Sequence, residues 1–280
     1  RRAAESGARS RSRAGAPPGG SLLLAIDVGN TQTVLGVLEG SRVCELFRVS
    51  SGLPRTGDEL LPVVERLIAP WGDGLAASGR AVIGSVVPSL TPAWEQLARR
   101  LLGRDPHVAS AASAHGLRLE LKDPASVGAD RIANAVAVAA LYRLPAIVVD
   151  LGTATTFDVV VPGPRYLGGA IAPGILTSAE ELFRRAARLA KVDLRPPEHV
   201  VGRTTEEAIQ SGVYFGSVGQ IDGLVTRLGA ELGERPFVIA TGGLASVIAA
   251  GSSTIERVDP TLTLQGLRLI EERDREARGG

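Results

Sequence analysis

One pattern occurs twice in the sequence, 123 residues apart. The segment "AIDVGNTQTVLGVLEG" at 25–40 aligns with "VVDLGTATTFDVVVPG" at 148–163, which places Asp27 on Asp150 and Gly29 on Gly152. Each copy reads as an apolar strand, Asp-x-Gly, a hydroxyl-rich turn and a second apolar strand, which together predict a β-hairpin. A period this long is far from that of a solenoid, so it indicates two similar α/β halves that each open with the same hairpin.

The turn in each copy has the chemistry of a phosphate-binding loop. A tight Asp-x-Gly turn points backbone N–H groups outward around a small concavity, and glycine lets a ligand approach closely. The Asp27 carboxylate would repel phosphate, but it can hold a cation that bridges to phosphate. Two such hairpins facing each other across a cleft would form a phosphate clamp. The alternative is that both are ordinary polar hairpin tips.

Charge separates a basic tail from a mildly acidic body. The first twenty of the 280 residues hold five Arg and one Glu and have no apolar run, so we expect a disordered tail. This tail has no signal-peptide core, and the lack of Met at position 1 indicates a trimmed or mis-started terminus. The other 260 residues carry 26 basic and 29 acidic side chains. Such a body gives no footprint for nucleic acid.

Cysteine and histidine placement excludes several classes of site. The single cysteine, Cys44, excludes an intrachain disulfide and a multi-thiolate zinc site. His107, His115 and His199 are far apart and lack metal-ligand spacing. No apolar stretch reaches the roughly 18 to 20 residues of a membrane span. We therefore expect a soluble, cytoplasmic protein without membrane or nucleic-acid partners.

The strand and helix pattern predicts an α/β protein in two halves. We expect the tail at 1–20, an N-terminal half at 21–125 and a C-terminal half at 126–280. The predicted strands are 22–28, 32–38, 43–49, 80–87, 106–110, 146–150, 155–161, 165–170 and 236–240. The predicted helices are 57–70, 90–102 (capped by Ser89 or Thr91), 127–144, 175–189, 204–231, 243–250 and 262–277.

Common nucleotide-binding motifs are absent from the sequence. The only lysines, Lys122 and Lys191, follow Leu and Ala, so there is no P-loop, and no G-x-G-x-x-G follows the first strand. No His-Arg-Asp triplet of a protein kinase is present. The segment "VIATGGLASVIA" at 238–249 predicts a strand, a Gly-Gly turn and a helix start. That turn would admit a flat ring such as adenine, or it is an ordinary strand-to-helix turn.

Three further segments carry candidate chemistry. "GADR" at 128–131 puts an acid and a guanidinium in the first turn of a helix. Asp130 either interacts with that helix end or takes a proton from a substrate hydroxyl, while Arg131 can hold a substrate carboxylate in a bidentate contact. "GRTTEEAIQSG" at 202–212 contains a capping box, with Thr204 or Thr205 and a downstream Glu, and a spare hydroxyl for a ligand. "GGAIAPG" at 168–174 is predicted to be a glycine-rich turn.

Together these motifs resemble a known family. Two Asp-x-Gly hairpins in duplicated halves and a Gly-Gly turn resemble the actin/Hsp70/sugar-kinase superfamily. Within it, "DVGNTQTVLG", "GADRIANA", "DLGTATTFDVV", "GGAIAPG" and "GRTTEEAIQSG", in this order from about Leu22 to about Gly223, look like type III pantothenate kinase. The resemblance implies an α/β fold of duplicated actin-like (ribonuclease H-like) halves, with mixed sheets flanked by helices and a cleft between them.

The resemblance also implies an activity and a set of partners. The activity is ATP-dependent phosphorylation of pantothenate to 4′-phosphopantothenate, the first step of coenzyme A synthesis. The implied ions are Mg²⁺ and a monovalent cation, K⁺ or NH₄⁺. The implied assembly is a homodimer whose partner subunit contributes to the pantothenate site.

The resemblance assigns roles to residues of this chain. The ATP phosphates would be wrapped by Asp27, Val28, Gly29, Asn30, Thr31, Gln32, Thr33 and Val34, and Thr153 would also contact ATP. Asp27 would lie near magnesium, and Asp150 would bind potassium. Asp130 would be the general base. Pantothenate would be held by Leu121, Gly128, Ala129, Asp130, Arg131 and Thr205.

The chain departs from the family pattern at one position. Where the family usually has a substrate-contacting tyrosine, seven residues before Gly128, this chain has Leu121. An aliphatic side chain can replace the packing of the ring but not its hydroxyl bond, a loss of no more than a few kcal/mol. Two alternatives stay open: another phosphotransferase or phosphatase of the superfamily, and a regulatory relative that has lost catalysis. Retention of Asp27, Asp130 and Asp150 favours the kinase.

Overall fold

The computed structural model describes residues 21–52, 55–113, 115–185 and 193–279. The strands are β1 (Leu22–Val28), β2 (Gln32–Glu39), β3 (Arg42–Ser50), β4 (Ala81–Ser85), β5 (His107–Ala109), β6 (Arg118–Leu119), β7 (Ala146–Leu151), β8 (Ala154–Val161), β9 (Arg165–Pro173), β10 (Phe237–Thr241) and β11 (Arg257–Val258). The α-helices are α1 (Gly57–Ile68), α2 (Gly72–Ser78), α3 (Thr91–Leu102), α4 (Ala129–Leu141), α5 (Ile175–Arg185), α6 (Thr205–Leu232), α7 (Ala245–Ala249) and α8 (Leu262–Ala277). Predictions for 1–20, and for the part of helix 175–189 after residue 185, lie outside the described residues.

The first sheet has the strand order β3-β2-β1-β4-β5. Strands β1 and β2 form the predicted antiparallel hairpin, in which Asp27 lies opposite Val34, and β4 runs parallel to β1 on its other side. The backbone N–H of Gly29 donates to the carbonyl of Gln32 at 3.1 Å and closes the turn. The Asp-x-Gly segment therefore lies at the carboxyl end of a central strand.

The second sheet repeats this arrangement in the order β11-β10-β7-β8-β9-β6. Strands β7 and β8 form the second hairpin, with Asp150 opposite Thr156, and β10 is parallel to β7 as β4 is to β1. Strand β3 at 42–50, displaced by 123 residues, coincides with β9 at 165–173. The predicted duplication and its α/β class, with mixed sheets flanked by helices, are confirmed.

Helices α4 and α8 lie between the two sheets. On one side, Ile132 of α4 and Leu267 of α8 pack in one apolar cluster with residues of β1 and β4. On the other side, Val138 of α4 and Leu262 of α8 pack with residues of β7, β8 and β10. The helices approach each other closely at Gly266, where a Cβ atom would lie 1.9 Å from the carbonyl oxygen of Ala133. The Ala-rich sequence of α4 permits this approach.

Contacts cross the predicted boundary between residues 125 and 126 in both directions. Helix α8 contacts β1, β4 and β5, and Glu271 on it forms an ion pair with Arg80 of the N-terminal half. In the other direction, β6 pairs with β9 of the second sheet. The boundary at 125/126 stays a prediction.

Two of the predicted helix caps have a clear outcome. Thr204 caps α6 in a capping box with Glu207, as the 202–212 motif predicts, and Thr205 becomes the first helical residue. The prediction for α3 was wrong, because neither Ser89 nor Thr91 caps it. Thr91 instead donates its hydroxyl hydrogen bond to Ser85 Oγ at 2.7 Å, which ties the helix start to the end of β4.

Several predicted bounds need correction. "GGAIAPG" at 168–174 is not a turn, since all but its last residue belongs to β9. The helix predicted at 127–144 is α4 at 129–141, because Pro145 disfavours helical backbone in the residue before it. Strands 80–87 and 106–110 shorten to β4 and β5, and helix 243–250 shortens to α7. Helix α2 and the two-residue strands β6 and β11 were not predicted, because such short elements show little periodicity.

Candidate active site

The two hairpin tips touch each other. Thr31 Oγ1 of the first tip and Thr153 Oγ1 of the second are 2.8 Å apart and share a hydrogen bond. The turn residues Asn30 and Gly152 are exposed. The tips of the two halves are thus in direct contact, with exposed turn residues of both copies next to each other.

Three carboxylates converge below these tips. Asp27 and Asp150 each lie one residue before the end of their strands, β1 and β7, and Asp130 lies in the first turn of α4. Burial raises the pKa of Asp27 well above its usual range, and the charges of Asp130 and Asp150 raise it further. Burial also raises the pKa of Asp150 to about 7. The cluster therefore has an excess of negative charge that a bound cation would relieve.

Asn134 holds Asp150 in place, and sequence reasoning missed it. Its amide Nδ2 donates to Asp150 Oδ2 at 2.9 Å, and its Oδ1 accepts from the Thr263 hydroxyl of α8 at 2.8 Å. The Asn134 side chain is fully buried. Asn134 follows Asp130 by four residues, so both lie on the same face of α4. That spacing was the available signal, but the partner Asp150 is set only by tertiary packing.

The helix start at 128–131 leaves Asp130 partly free for chemistry. Gly128 is the N-cap of α4 and makes no side-chain cap. Asp130 Oδ1 accepts the backbone N–H of Arg131 at 2.7 Å, so the carboxylate does interact with the helix end. Its Oδ2 accepts no hydrogen bond from any other residue of the described chain. Burial raises the pKa of Asp130, which makes it a stronger base than a solvated aspartate.

Arg131 has an internal partner that was also missed. Its Nε and Nη2 atoms lie 2.8 and 2.7 Å from Oδ1 of Asp158, a fully buried residue of β8. Asp158 also accepts the Tyr166 hydroxyl at 2.6 Å. A bidentate contact to a substrate carboxylate through the Nε side of Arg131 is therefore ruled out, and the Nη1 end is what remains for a ligand. In the sequence, Asp158 stands out only as a lone acid in the apolar run "FDVVV", which could have indicated a buried partner.

Two glycines let loops pack directly on the second hairpin. At Gly242, where φ is +91°, a Cβ atom would lie 2.7 Å from Asp150 Oδ1 and from the Leu151 carbonyl oxygen. At Gly174 a Cβ atom would lie 2.1 Å from the Thr153 carbonyl oxygen. Packing on protein backbone thus explains Gly242. Gly243, with nothing within 4 Å of its Cβ position, remains open to a ligand.

The remaining predicted site residues lie on different elements of the fold. Leu121 is half-buried and packs against the apolar cluster that contains Tyr166, with its Cδ2 2.9 Å from the Cβ position at Gly168. Ala129 is buried in the first turn of α4, beside Asp130. Thr205 is exposed at the start of α6, an element that provides none of the three carboxylates.

Two cavities of the described residues are lined by groups other than the three carboxylates. One, of about 690 Å³, lies between the end of α6 and residues 234–236 and 253–256. The other, of about 210 Å³, lies between α5 and α6. We place the candidate site beneath the touching hairpin tips instead, because carboxylates with raised pKa values lie there.

Among the described residues, no three His, Cys, Asp or Glu side chains form a ready-made metal cluster. Magnesium commonly binds through one or two carboxylates, with water and substrate phosphate completing its shell. The donors at Asp27 and Asp150 suit such incomplete protein coordination. No helix in the described chain combines the length and apolar character needed to cross a bilayer.

The fold and this site define a class: a duplicated α/β protein with paired hairpin tips beside half-buried carboxylates. The family model described as type III pantothenate kinase matches residues 23–227. A protein of Geobacter sulfurreducens named type III pantothenate kinase is 47% identical over 255 residues, which cover 91% of this chain and 100% of that protein. One from Moorella thermoacetica with the same name is 45% identical over 253 residues, 90% and 100% of the two chains. This chain belongs to the type III pantothenate kinase family.

A solved structure has the same fold at low sequence identity. The crystal structure titled as a conserved putative Baf family transcriptional activator from Campylobacter jejuni superposes with a TM-score of 0.57 at 17% identity. The match covers 90% of this chain and 99% of that chain. At this identity the likeness shows the fold alone.

Proposed function

We propose that this chain transfers the γ-phosphoryl group of ATP to the hydroxyl of pantothenate and releases 4′-phosphopantothenate, the first step of coenzyme A synthesis. The observation that carries this proposal is the convergence of Asp27, Asp130 and Asp150 under two hairpin tips joined by Thr31 and Thr153. Membership of the family supports the choice of substrate.

The ATP phosphates bind at the two hairpin tips in this proposal. Backbone N–H groups and hydroxyls of the first tip surround the phosphate oxygens, and Thr153 of the second tip contacts them from the other side. Gly29 keeps the turn tight, since a Cβ atom there would lie 2.8 Å from the Gln32 carbonyl oxygen. Within the segment 27–34, the exposed residues are Asn30, Thr31 and Gln32, whereas Val28 and Thr33 are buried and support the turn from within.

The carboxylates fit the two cations that the proposal needs. Asp27 lies beside the phosphate-binding turn and accepts no side-chain hydrogen bond from the described residues, so it can bind a Mg²⁺ ion through water. Asp150, already oriented by Asn134, would hold K⁺ or NH₄⁺. When bound, these cations neutralise charge on the transferring phosphoryl group.

Pantothenate lies beside the first turn of α4 in this proposal. Asp130 faces the hydroxyl, while Gly128, Ala129 and the Nη1 end of Arg131 surround the rest of the molecule. Leu121 packs against it without a hydroxyl bond. Thr205, exposed at the start of α6, is assigned to the site of a partner subunit.

The chemistry is an in-line displacement. The substrate oxygen forms a bond to the γ-phosphorus as the bond from that phosphorus to the β,γ-bridging oxygen breaks, and ADP leaves. The hydroxyl proton passes to Asp130, whose Oδ2 is the carboxylate oxygen without a partner in the described chain. Because the transition state is loose, most of the acceleration comes from positioning and electrostatics, and a weak base suffices.

An apolar stretch of the C-terminal half supports a homodimer. Among the described residues, nine large apolar side chains are exposed, and six of them lie between 171 and 215: Ile171, Leu176, Leu182, Val200, Val201 and Phe215. Apolar surface concentrated in this way is typical of a protein interface. Sedimentation velocity of the purified chain should give twice the 29.0 kDa monomer mass. We place the protein in the cytoplasm, where ATP is available.

Product analysis tests the proposed reaction. The purified chain is incubated with ATP, Mg²⁺ and K⁺, and with pantothenate, a hexose or polyphosphate as the second substrate. We expect mass spectrometry to find singly phosphorylated pantothenate in a one-to-one ratio with ADP. Phosphorylated hexose or polyphosphate hydrolysis would support another phosphotransferase or phosphatase. No product with any acceptor, from a folded protein that binds ATP, would support a regulatory relative.

A further inference from the structure

Asp158 is a fully buried carboxylate in the middle of an apolar strand. It lies on β8, two residues after Thr156, with no exposed surface. Its Oδ1 accepts from Arg131 Nε and Nη2 and from the Tyr166 hydroxyl, and its Oδ2 accepts from the Thr156 hydroxyl at 3.2 Å. Burying a charge is costly unless it is paired and hydrogen-bonded. Here the donors of Arg131, Tyr166 and Thr156 all bind the Asp158 carboxylate.

The first half of the molecule does without such a group. Asp158 pairs with Val148 of β7, and the corresponding pair of the first hairpin joins Ala25 to Gly36. A glycine therefore occupies the equivalent strand position, where a Cβ atom would lie 2.6 Å from Leu264 Cδ1 of α8. Structural need alone does not explain a carboxylate in the second copy, and its main partner, Arg131, is next to the proposed base.

The geometry at Arg131 shows what the carboxylate achieves. Two nitrogens on one side of the guanidinium, Nε and Nη2, both point at Asp158 Oδ1. This contact fixes the plane of the guanidinium and directs its Nη1 end away from Asp158. Nη1 makes no hydrogen bond within the described chain. The side chain keeps 17% of its surface exposed, enough for one end to meet a ligand.

We infer that Asp158 is a positioning residue that fixes Arg131 so that its Nη1 end binds the carboxylate of pantothenate; this inference rests on the proposed function. Asp130 and Arg131 are adjacent in the chain, so a rigid Arg131 sets the distance between the proposed base and the anchor of the substrate. A substrate held at its carboxylate then presents its hydroxyl to Asp130. Fixing the guanidinium before binding lowers the entropy cost of ordering it with the substrate.

The main test compares Asp158→Asn with Tyr166→Phe, since both change the same buried network but only the first weakens the contact to Arg131. We expect Asp158→Asn to raise the KM for pantothenate by about tenfold or more, with the KM for ATP within about twofold of wild type. Tyr166→Phe should leave the pantothenate KM within about twofold. A purely structural role would lower the melting temperature of both variants without this selective change in KM.

Arg131→Lys keeps the inference testable if Asp158→Asn does not fold, and a double variant extends the test if it does. Arg131→Lys retains a charge to pair with Asp158, but one ammonium group cannot serve both Asp158 and a substrate as a guanidinium does. It should raise the pantothenate KM as well. In the background of Arg131→Ala, the change Asp158→Asn should raise the KM no further, because the two residues act in series.

The outcomes separate this inference from the proposed function. An unchanged pantothenate KM in Asp158→Asn or Arg131→Lys, with active wild-type enzyme, overturns the positioning role alone. Equal increases in Tyr166→Phe and Asp158→Asn also overturn it. Wild-type enzyme that does not phosphorylate pantothenate refutes the proposed function itself.

Discussion

In the first hairpin Asp27 lies opposite Val34, and in the second Asp150 lies opposite Thr156, with the same strand order around each. Their surroundings differ. Asp27 accepts no side-chain hydrogen bond from the described residues, whereas Asp150 accepts one from Asn134. A repeated backbone motif thus provides two similar carboxylates, and the helix packed beside them distinguishes their roles.

The threonine hydroxyls of the two hairpins also have different hydrogen-bond partners. Thr33 of the first hairpin is buried and hydrogen-bonds Ser51 Oγ at 2.9 Å, within its own sheet region. In the second hairpin, Thr156, which lies opposite Asp150, donates to Asp158, which leads to Arg131 of α4. The Thr33 hydroxyl is therefore bonded within its own half, whereas the Thr156 hydroxyl is linked through Asp158 to the helix that carries the proposed base.

The largest expected effect is on the base between the two hairpins. Asp130→Asn should lower kcat by about 10²–10⁴-fold, because the hydroxyl proton then has no acceptor. ATP binding, measured by calorimetry, should persist, since the hairpin tips are unchanged. A near-wild-type kcat would refute the assignment of Asp130.

Loss of the hydrogen bond from Asn134 to Asp150 should weaken the binding of the monovalent cation but not that of Mg²⁺. Asn134→Leu removes the donor to Asp150 at similar side-chain volume, and loss of a residue that orients a metal ligand typically costs 10–100-fold in affinity. We expect the K⁺ concentration for half-maximal activity to rise by about that factor. Thr263→Val, which removes only the bond that orients the Asn134 amide, is the matched control with a smaller rise. Equal changes in the Mg²⁺ requirement would contradict the distinction between the hairpins.

The pH dependence should also single out the second hairpin. The pKa of Asp150 is raised to about 7, so its carboxylate is mostly neutral at pH 6 and ionised at pH 8, and a cation binds the ionised form. We expect the K⁺ affinity, from thermal shifts of the protein, to rise about tenfold between these pH values. Without a bound cation, the stability of the protein changes with pH in the opposite direction. The raised pKa of Asp150 stabilises the folded state at pH values below the pKa that this carboxyl has in the unfolded chain. That stabilisation is lost as the pH rises through about 7. A pH-independent K⁺ affinity would contradict the role of Asp150.

The smallest expected effect is on the contact between the tips. Thr31→Val removes the hydrogen bond to Thr153 at an exposed position and should cost less than about 1 kcal/mol in the free energy of unfolding. Thr153→Val is the matched variant, and the double variant should cost no more than either single one. Chemical denaturation measures all three. Additive losses would indicate that the two hydroxyls stabilise the fold independently.

The sequence alone predicted the parts of this architecture that are local and long. The hairpins around Asp27 and Asp150 follow from alternating strands and Asp-x-Gly turns, and α4 and α6 follow from their helical patterns. The sequence did not predict the hydrogen-bond partners of the site residues, because those contacts depend on packing between distant elements. Asn134 lies in an Ala-rich helix, and its contacts, Asp150 on β7 and Thr263 on α8, are known only once α4 is placed between the sheets. Asp158 pairs with Arg131 across 27 residues for the same reason.

In the proposed reaction the two hairpins hold different cations, and a paired measurement of the K⁺ and Mg²⁺ dependences tests this difference. Asp27→Asn and Asp150→Asn are assayed for pantothenate-dependent ADP release while K⁺ and Mg²⁺ are varied in turn. We predict that Asp150→Asn loses activation by K⁺ but keeps its Mg²⁺ dependence, and that Asp27→Asn shows a weakened Mg²⁺ dependence with K⁺ activation retained. If both variants shift both dependences equally, or if ADP release needs no pantothenate, the account is contradicted.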